Sequence, residues 1–414
     1  MIKEIYSIKT QSTALTVTNT EISAIQKSNT AKTGLRLYDN GFIGVAGAIG
    51  PFDEARLEER ARRMLDVKIP YDCEPAKDIR RTEDLTGEFA LTGEEFVQKS
   101  EQLLGMMRRE FPLFSFSHKI TVGNTETSLR NDMGADLVCR DKFVQAELLI
   151  KHRKSKNMMD SFGADVSRGF DVDSFFKTLT ETCACYEEKA ELPAEKMPVV
   201  MRLGPEAVLG KFYSDLYGLA MGTEASVFSG KTGQKLFAGG FSLCVNRNPR
   251  DDFRCFFDAE GTVLPNDSFA LIENGMLISP YSSKKIAGEY GYAATGSSGG
   301  AFDSVPAITP EGIGVRPGGR TIKELLDGRK AVYITLASGG DFTPQGEFAS
   351  PVQSAFLFDG QRLLGRLPQI AMRSNVYDMF GKDFIGMSSD GYCPGSPFKY
   401  LAMEMNVDVI GDWI

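Results

Sequence analysis

Alternation of apolar and polar residues dominates the first fifty positions. The run TALTVTNTEISAIQ and the run TGLRLYDNGFIGVAG both approximate the period of two expected of a pleated strand with one buried face. Within the second run stands Asp39-Asn40-Gly41, and an Asn-Gly pair takes the positive φ of a two-residue hairpin turn at little steric cost. Residues 11 to 48 are therefore expected to form an antiparallel meander. The period then changes. A charged helix is expected over Asp53 to Leu65, and a second from Thr92, where Thr92 and Glu95 have capping-box spacing ahead of VQKSEQLLGMMRRE.

Strand periodicity returns in LFSFSHKI, which places Phe114, Phe116, His118 and Ile120 on one face, and it continues after Asn124 and through Ala135-Asp136-Leu137-Val138 as far as Lys151. A helix over Asp171 to Lys189 is expected to close this half. The segment Glu187 to Pro198 is charged, holds two prolines and lacks an apolar face, which is the composition of a linker. Beyond it come a strand in VVMRL, a helix from about Pro205 to Met221, and then short alternating runs broken by glycine up to the C-terminus. The expected fold class is α+β. Residues 1–190 form an N-terminal mixed domain of antiparallel sheet and helices, and residues 197–414 a mostly antiparallel β domain. A chain of 414 residues, 42% of them hydrophobic, is long enough for two cores.

Charge narrows the function. There are 47 basic and 55 acidic residues, a net charge of -8, and the basic ones occur as scattered pairs such as Arg108-Arg109 and Lys284-Lys285. A nucleic-acid surface needs concentrated positive charge, so direct binding to DNA or RNA is not expected. No apolar run approaches the roughly 18 residues that cross a bilayer, and MIKEIYSIKT has no apolar signal region, so a soluble cytoplasmic protein is expected. Seven irregularly spaced cysteines suit free thiols in a reducing compartment. Cys183 and Cys185 fall in a helical-looking stretch where positions two apart diverge, and are read as packing rather than metal ligands.

Candidate chemistry is limited by histidine, of which there are two. His118 is read as a core residue on the phenylalanine face, and His152, inside KHRK, as a solvated one. A zinc peptidase of the HExxH or HExxxH kind needs two imidazoles a helical turn apart and a glutamate to activate water, and no such pair exists, so neither a metal nor a cofactor is expected. Ala225 to Thr232 nearly fits a phosphate-binding loop, but alanine stands where glycine is needed and no good helix follows, so a hairpin turn is the expectation. Gly296-Ser297-Ser298-Gly299-Gly300 could cradle an anion through successive N–H groups, but reads by default as a flexible loop. Asp258 with Glu260, and Asp341 with Glu347, could act as acid and base if the fold brought them within reach; caps and solvated turns are the ordinary role of such residues. A cysteine nucleophile at Cys393 or Cys244 would need a histidine from the other domain.

The C-terminal half resembles the TldD/PmbA family at several places. Gly204-Pro205 opens a helix like the one that bears the family's metal motif. SVFSGKTGQKL (Ser226 to Leu236), FFDAEGTVLPNDSFALIENGML (Phe256 to Leu277), YSSKKIAGEYGYAATG (Tyr281 to Gly296) and the segment Leu336 to Phe380 are similar to family segments in the same order. TGLRLYDNGFIGVA (Thr33 to Ala46) extends the likeness to the N-terminal half, which is short for the family. The resemblance implies that the HExxxH ligand positions fall near Tyr213 and Gly218, the catalytic glutamate near Ser214, and the closing cysteine ligand at Cys393. With the histidines missing, it implies the PmbA/TldE branch: a non-catalytic partner of a TldD-type metallopeptidase in proteolysis and peptide maturation, homodimeric in isolation, with peptide substrates and with Asp258, Glu260, Asp341 and Glu347 as cleft residues. The alternatives are an autonomous peptidase or hydrolase that works without zinc, and the gyrase-associated regulator of the family's older label.

Overall fold

A computed structural model of the chain describes residues 1–89, 91–201, 206–391 and 396–413. Three long strands open it: β1 (Ile2–Thr18), β2 (Glu21–Asp39) and β3 (Phe42–Ile49). Two-residue turns join them. Asn19 and Thr20 stand at φ 50° and 66°, Asn40 and Gly41 at 50° and 80°; positive φ at both central positions matches the right-handed twist of the strands they connect. The sheet is completed by β4 (Ile69–Pro70), β5 (Arg80–Asp84), β6 (Phe114–Asn131), β7 (Asp136–His152) and β8 (Ser161–Ser167). Its order is β4-β3-β2-β1-β6-β7-β5, with β8 also on β7, and β5 runs parallel to β7 in an otherwise antiparallel sheet.

Helices cover one face. α1 (Glu54–Leu65) is capped by Asp53, whose carboxylate accepts from Ala55 N and Arg56 N, and it lays Leu57 and Ala61 on Leu35, Leu37 and Ala46. α2 (Gly93–Glu110) has the full capping box between Thr92 and Glu95, and buries Phe96, Leu103, Leu104 and Met107 over Leu15, Phe116, Val144 and Leu148. α3 (Val172–Thr180) starts at its Asp171 cap but stops well short of Lys189. The turn that follows lets Tyr186 stack on His152 and meet the edge of Phe114, with ring centroids 5.1 and 5.3 Å apart. Cys183 and Cys185 are buried in this turn, not on a helix.

The two histidines exchange their expected places. His118 takes φ 132°, which breaks the alternation after Phe116, and its exposed ring reaches Glu147 at 3.7 Å. His152 is 5% exposed. The period of two in Ala146, Leu148 and Ile150 carries one step further into the basic run, so its imidazole faces inward while Lys151 and Arg153 turn away.

The C-terminal half centres on a ring of five strands. Ala331–Ala337 runs parallel to Lys196–Met201, which pairs antiparallel with Lys399–Val409; that strand pairs with Ile370–Asn375, which pairs with the first part of Glu347–Phe358. The second part of Glu347–Phe358 returns to Ala331–Ala337 and closes the ring. Closure leaves these strands few free edges. The single helix expected from Pro205 to Met221 is two helices, Glu206–Asp215 and Gly218–Gly222, with Tyr217 extended between them at ψ 121°. A smaller sheet of Leu243–Asn246, Ser268–Glu273, Met276–Leu277 and Ile313–Val315 packs beside the ring. Residues 225–232 form successive turns in place of the expected hairpin, with Val227 N bound to Asp215 and Lys231 Nζ to the Tyr377 hydroxyl. Among the described residues no helix is long and apolar enough to cross a membrane.

Side-chain parity along β1 shows how the halves meet. Ile5 and Leu15 lie under the helices, while Tyr6 points from the opposite face into a cluster that joins Leu129 and Leu137 of the sheet to Phe256 and Phe257 of the C-terminal half. On that same face Gly34 and Gly47 are cross-strand partners. A Cβ on Gly34 would overlap the Phe302 carbonyl, and one on Gly47 the Asp303 side chain, so the glycine pair is what lets the two halves come into backbone contact.

Candidate functional site

Asp258 and Glu260 lie at this junction and are 2% and 3% exposed. The Asp258 carboxylate accepts from Glu260 N at 3.0 Å, Thr262 N at 2.9 Å and Ser298 N at 3.1 Å. The loop expected to be flexible at Gly296–Gly300 is thus pinned: Ser297 and Ser298 are buried, Ser298–Gly299 forms a short strand, and the anion it receives is the protein's own carboxylate. Glu260 accepts from the Tyr71 hydroxyl of the N-terminal half and from Lys284 N at 2.7 Å, and Lys284 Nζ bonds the Glu260 carbonyl at 2.9 Å. Beside them Arg36 binds Glu4 at 3.1 Å and the Ala259 carbonyl, and Tyr38 donates to Glu4 at 2.8 Å.

Burial, and then the neighbouring Asp258 charge, push the Glu260 carboxyl up to about 7, and burial also raises Asp258. The sign follows from linkage. The folded protein holds the Glu260 proton more tightly than the unfolded chain does, so folding takes up a proton between the ordinary glutamate value of 4.5 and about 7. Stability from this group is therefore present at the acid end of that window and lost as pH rises through it. Thermal midpoints measured from pH 5 to 8 should fall across the window in the native protein and flatten in Glu260→Gln; an unchanged slope in the variant would assign the dependence to another group.

Asp341 and Glu347 are elsewhere. Both are exposed and line an open cavity of about 650 Å³ on the C-terminal half, together with Lys196, Arg373, Asp378 and Lys382. Glu347 is held by Asn375 Nδ2 at 2.8 Å and Asp341 accepts from Phe342 N at 2.7 Å. The structure does not bring the two carboxylate pairs together: one is sealed between the halves and the other is open to solvent.

Tyr213 and Ser214 stand near the end of Glu206–Asp215, whereas Gly218 opens the next helix. Tyr281 OH donates to the Tyr213 carbonyl at 2.5 Å, and Ser214 Oγ donates to the Lys211 carbonyl and to Asp215. Lys211 and Asp215 form a buried ion pair at 3.1 Å along the same helix. Gly218 is closed in. A Cβ there would sit 2.6 Å from Ser282 Oγ, 2.7 Å from Ile286 Cγ2 and 3.0 Å from the Tyr281 carbonyl. Gly204-Pro205 and Cys393 lie outside the described residues.

Tyr213 nevertheless lines a cleft of about 680 Å³ whose walls also include Ile313–Val315, Met387 and Phe398. Cations predominate in its lining: Arg250, Arg254, Arg316 and Lys399 stand against one described lining carboxylate, Asp251. Cys244 lines the same wall, with its Sγ 3.8 Å from the Gly314 carbonyl, while both histidines belong to β6 and β7 of the N-terminal sheet. The cations were not legible as a group, because they come from three separated stretches and none sits in a local motif.

Comparison with known proteins agrees with this architecture. Residues 194–399 match the family described as the PmbA/TldA metallopeptidase C-terminal domain. The fold is that of TldE from Thermococcus kodakarensis, with a TM-score of 0.82 at 18% identity over 99% of this chain and 97% of that one. It is similar too to a Thermotoga maritima protein named, provisionally, a modulator of a DNA gyrase, with a TM-score of 0.76 at 18% identity over 98% and 96%. A protein of Methanothermobacter thermautotrophicus named metalloprotease is 26% identical over 176 residues, 41% of this chain and 38% of that relative's length. The C-terminal half thus carries the PmbA/TldD family domain over residues 194–399, and the chain as a whole has a TldE-like fold.

Proposed function

We propose that this chain is a TldE-like partner subunit of a TldD-type metallopeptidase, contributing a peptide-binding wall rather than a zinc centre. The observation that carries the reading is the helix pair at Tyr213 to Gly218. An HExxxH site needs one continuous helix with imidazoles at both ends of the motif. Here Tyr217 interrupts the helix, Tyr213 takes one ligand position, and the other is a glycine with no room for a side chain. Both histidines of the chain are on the N-terminal sheet.

What remains at this place is a cleft with an apolar side and a strand edge, the equipment for holding an extended peptide. The test is to measure zinc content and peptide hydrolysis for this chain alone, for a TldD-type metallopeptidase alone, and for their mixture, with complex formation followed by light scattering. The reading expects zinc-free protein, a mixed complex, and turnover that rises only in the mixture. Stoichiometric zinc with turnover by this chain alone overturns it, as does a mixture in which neither mass nor rate changes.

A further inference from the structure

We propose that the cleft beside Ile313–Val315 selects peptide segments that carry carboxylates, an inference that rests on the peptide-binding reading above. The strand edge supplies backbone contacts. Asn246 N bonds the Gly312 carbonyl and Arg316 N bonds the Ser242 carbonyl, both at 2.8 Å, so residues 312, 314 and 316 turn their hydrogen-bonding groups toward Leu243–Asn246. Ile313 and Val315 turn theirs the other way. Ile313 is already engaged, by Pro310 through its N–H at 3.2 Å and by the Tyr213 hydroxyl at its carbonyl at 3.4 Å. Val315 lines the cleft, and strand alternation directs its N–H and C=O away from Leu243–Asn246, the side on which one residue of an added strand would bond.

The charges choose what that strand carries. Arg250 is matched by Glu88 at 2.5 Å and Glu83 at 3.3 Å, and Arg316 is loosely matched by Glu273 at 3.5 Å. Lys399 lines the cleft with no ion-pair partner among the described residues. In a chain of net charge -8, a cation-lined cleft raises the local concentration of anionic ligands and repels cationic ones. Successive side chains of an added strand point alternately up and down, so carboxylates at every second position would share the side on which the cations stand. The ligand class is an extended peptide with acidic residues at alternate positions.

The probes are three fluorescently labelled peptides of about ten residues, the upper end of ordinary strand lengths, identical except for Glu, Gln or Lys at alternate positions, titrated into the full chain and read by anisotropy. The Glu peptide is expected to bind about tenfold more tightly than the Gln peptide, equivalent to about 1.4 kcal/mol, with the Lys peptide weakest and the Glu preference shrinking as salt is added. Lys399→Gln and Arg316→Gln should each shrink the ratio of Glu-peptide to Gln-peptide affinity, whereas Lys285→Gln, outside the cleft, should leave that ratio as it is in the native protein. Equal affinity for the Glu and Gln peptides overturns the charge selection and leaves peptide binding intact. No binding of any of the three, with or without a TldD-type partner, removes the peptide-binding reading itself.

Discussion

Arg36→Ala is expected to destabilise the protein by about 3–5 kcal/mol, the range for breaking a buried ion pair from one side. Arg36 and Glu4 are each 1% exposed. Removing the guanidinium leaves the Glu4 carboxylate, among the described residues, with the Tyr38 hydroxyl at 2.8 Å and Asn131 Nδ2 at 3.2 Å, and takes from the Ala259 carbonyl a donor across the junction. It also strips a cation from the face of Tyr6, 5.0 Å from the ring centroid. The measurement is thermal or urea unfolding followed by circular dichroism, with Glu4→Gln/Arg36→Met alongside. Because the double variant leaves no buried charge unmatched, it should recover much of the loss. A single variant that unfolds like the native protein would mean that the junction contributes little to stability.

Phe212→Ala should cost a similar amount, about 3–5 kcal/mol, for a different reason. Phe212 is fully buried, and its ring centroid is 4.9 Å from that of Phe380, 5.5 Å from Phe237, 5.6 Å from Phe241 and 5.7 Å from Phe228. Four aromatic neighbours, three of them from residues 228–241 and the fourth from Phe380, are already packed on one another and cannot collapse into the space, so the lost contacts are compounded by a cavity. Phe212→Leu, which keeps most of the volume, is expected to lose less than half as much in the same unfolding experiment. Equal losses for the two variants would indicate that ring-specific contacts, rather than the void, set the cost.

Local physics is what the sequence made legible. The Asn40-Gly41 turn, the Thr92 capping box and the helix starts at Asp53 and Asp171 were visible because each depends on residues within four positions. The α+β class followed from periodicity. What failed depended on distant partners. The expected long helix stops at Thr180, and the turn after it seats Tyr186 on His152, 34 positions away in the chain by subtraction of their numbers. His118 left the core through one unusual φ that no alternation pattern records. Asp258 and Glu260 could be picked out as a pair, but the Tyr71 hydroxyl that binds Glu260 comes 189 residues earlier, and only folding reveals that the pair is sealed rather than open. Gly218 looked like a lost ligand position; the crowding by Ser282 and Ile286 that excludes any side chain there is invisible without coordinates.

The passage between the halves has its own optical label. The chain contains one tryptophan, Trp413, whose indole N–H donates to the Arg366 carbonyl at 2.9 Å while Lys189 Nζ lies 5.0 Å from the ring. The same Arg366 backbone accepts from Ala190 N and donates to the Glu188 carbonyl, so the fluorophore touches the connecting segment where it is tied to Leu363–Arg366, a strand that pairs with Glu347–Phe358 of the ring. Emission from this single indole therefore reports the seating of that segment without any engineered probe. Its wavelength and quenching by the neighbouring ammonium distinguish a docked connection from one released into water, even when far-ultraviolet signals from the two sheets are unchanged.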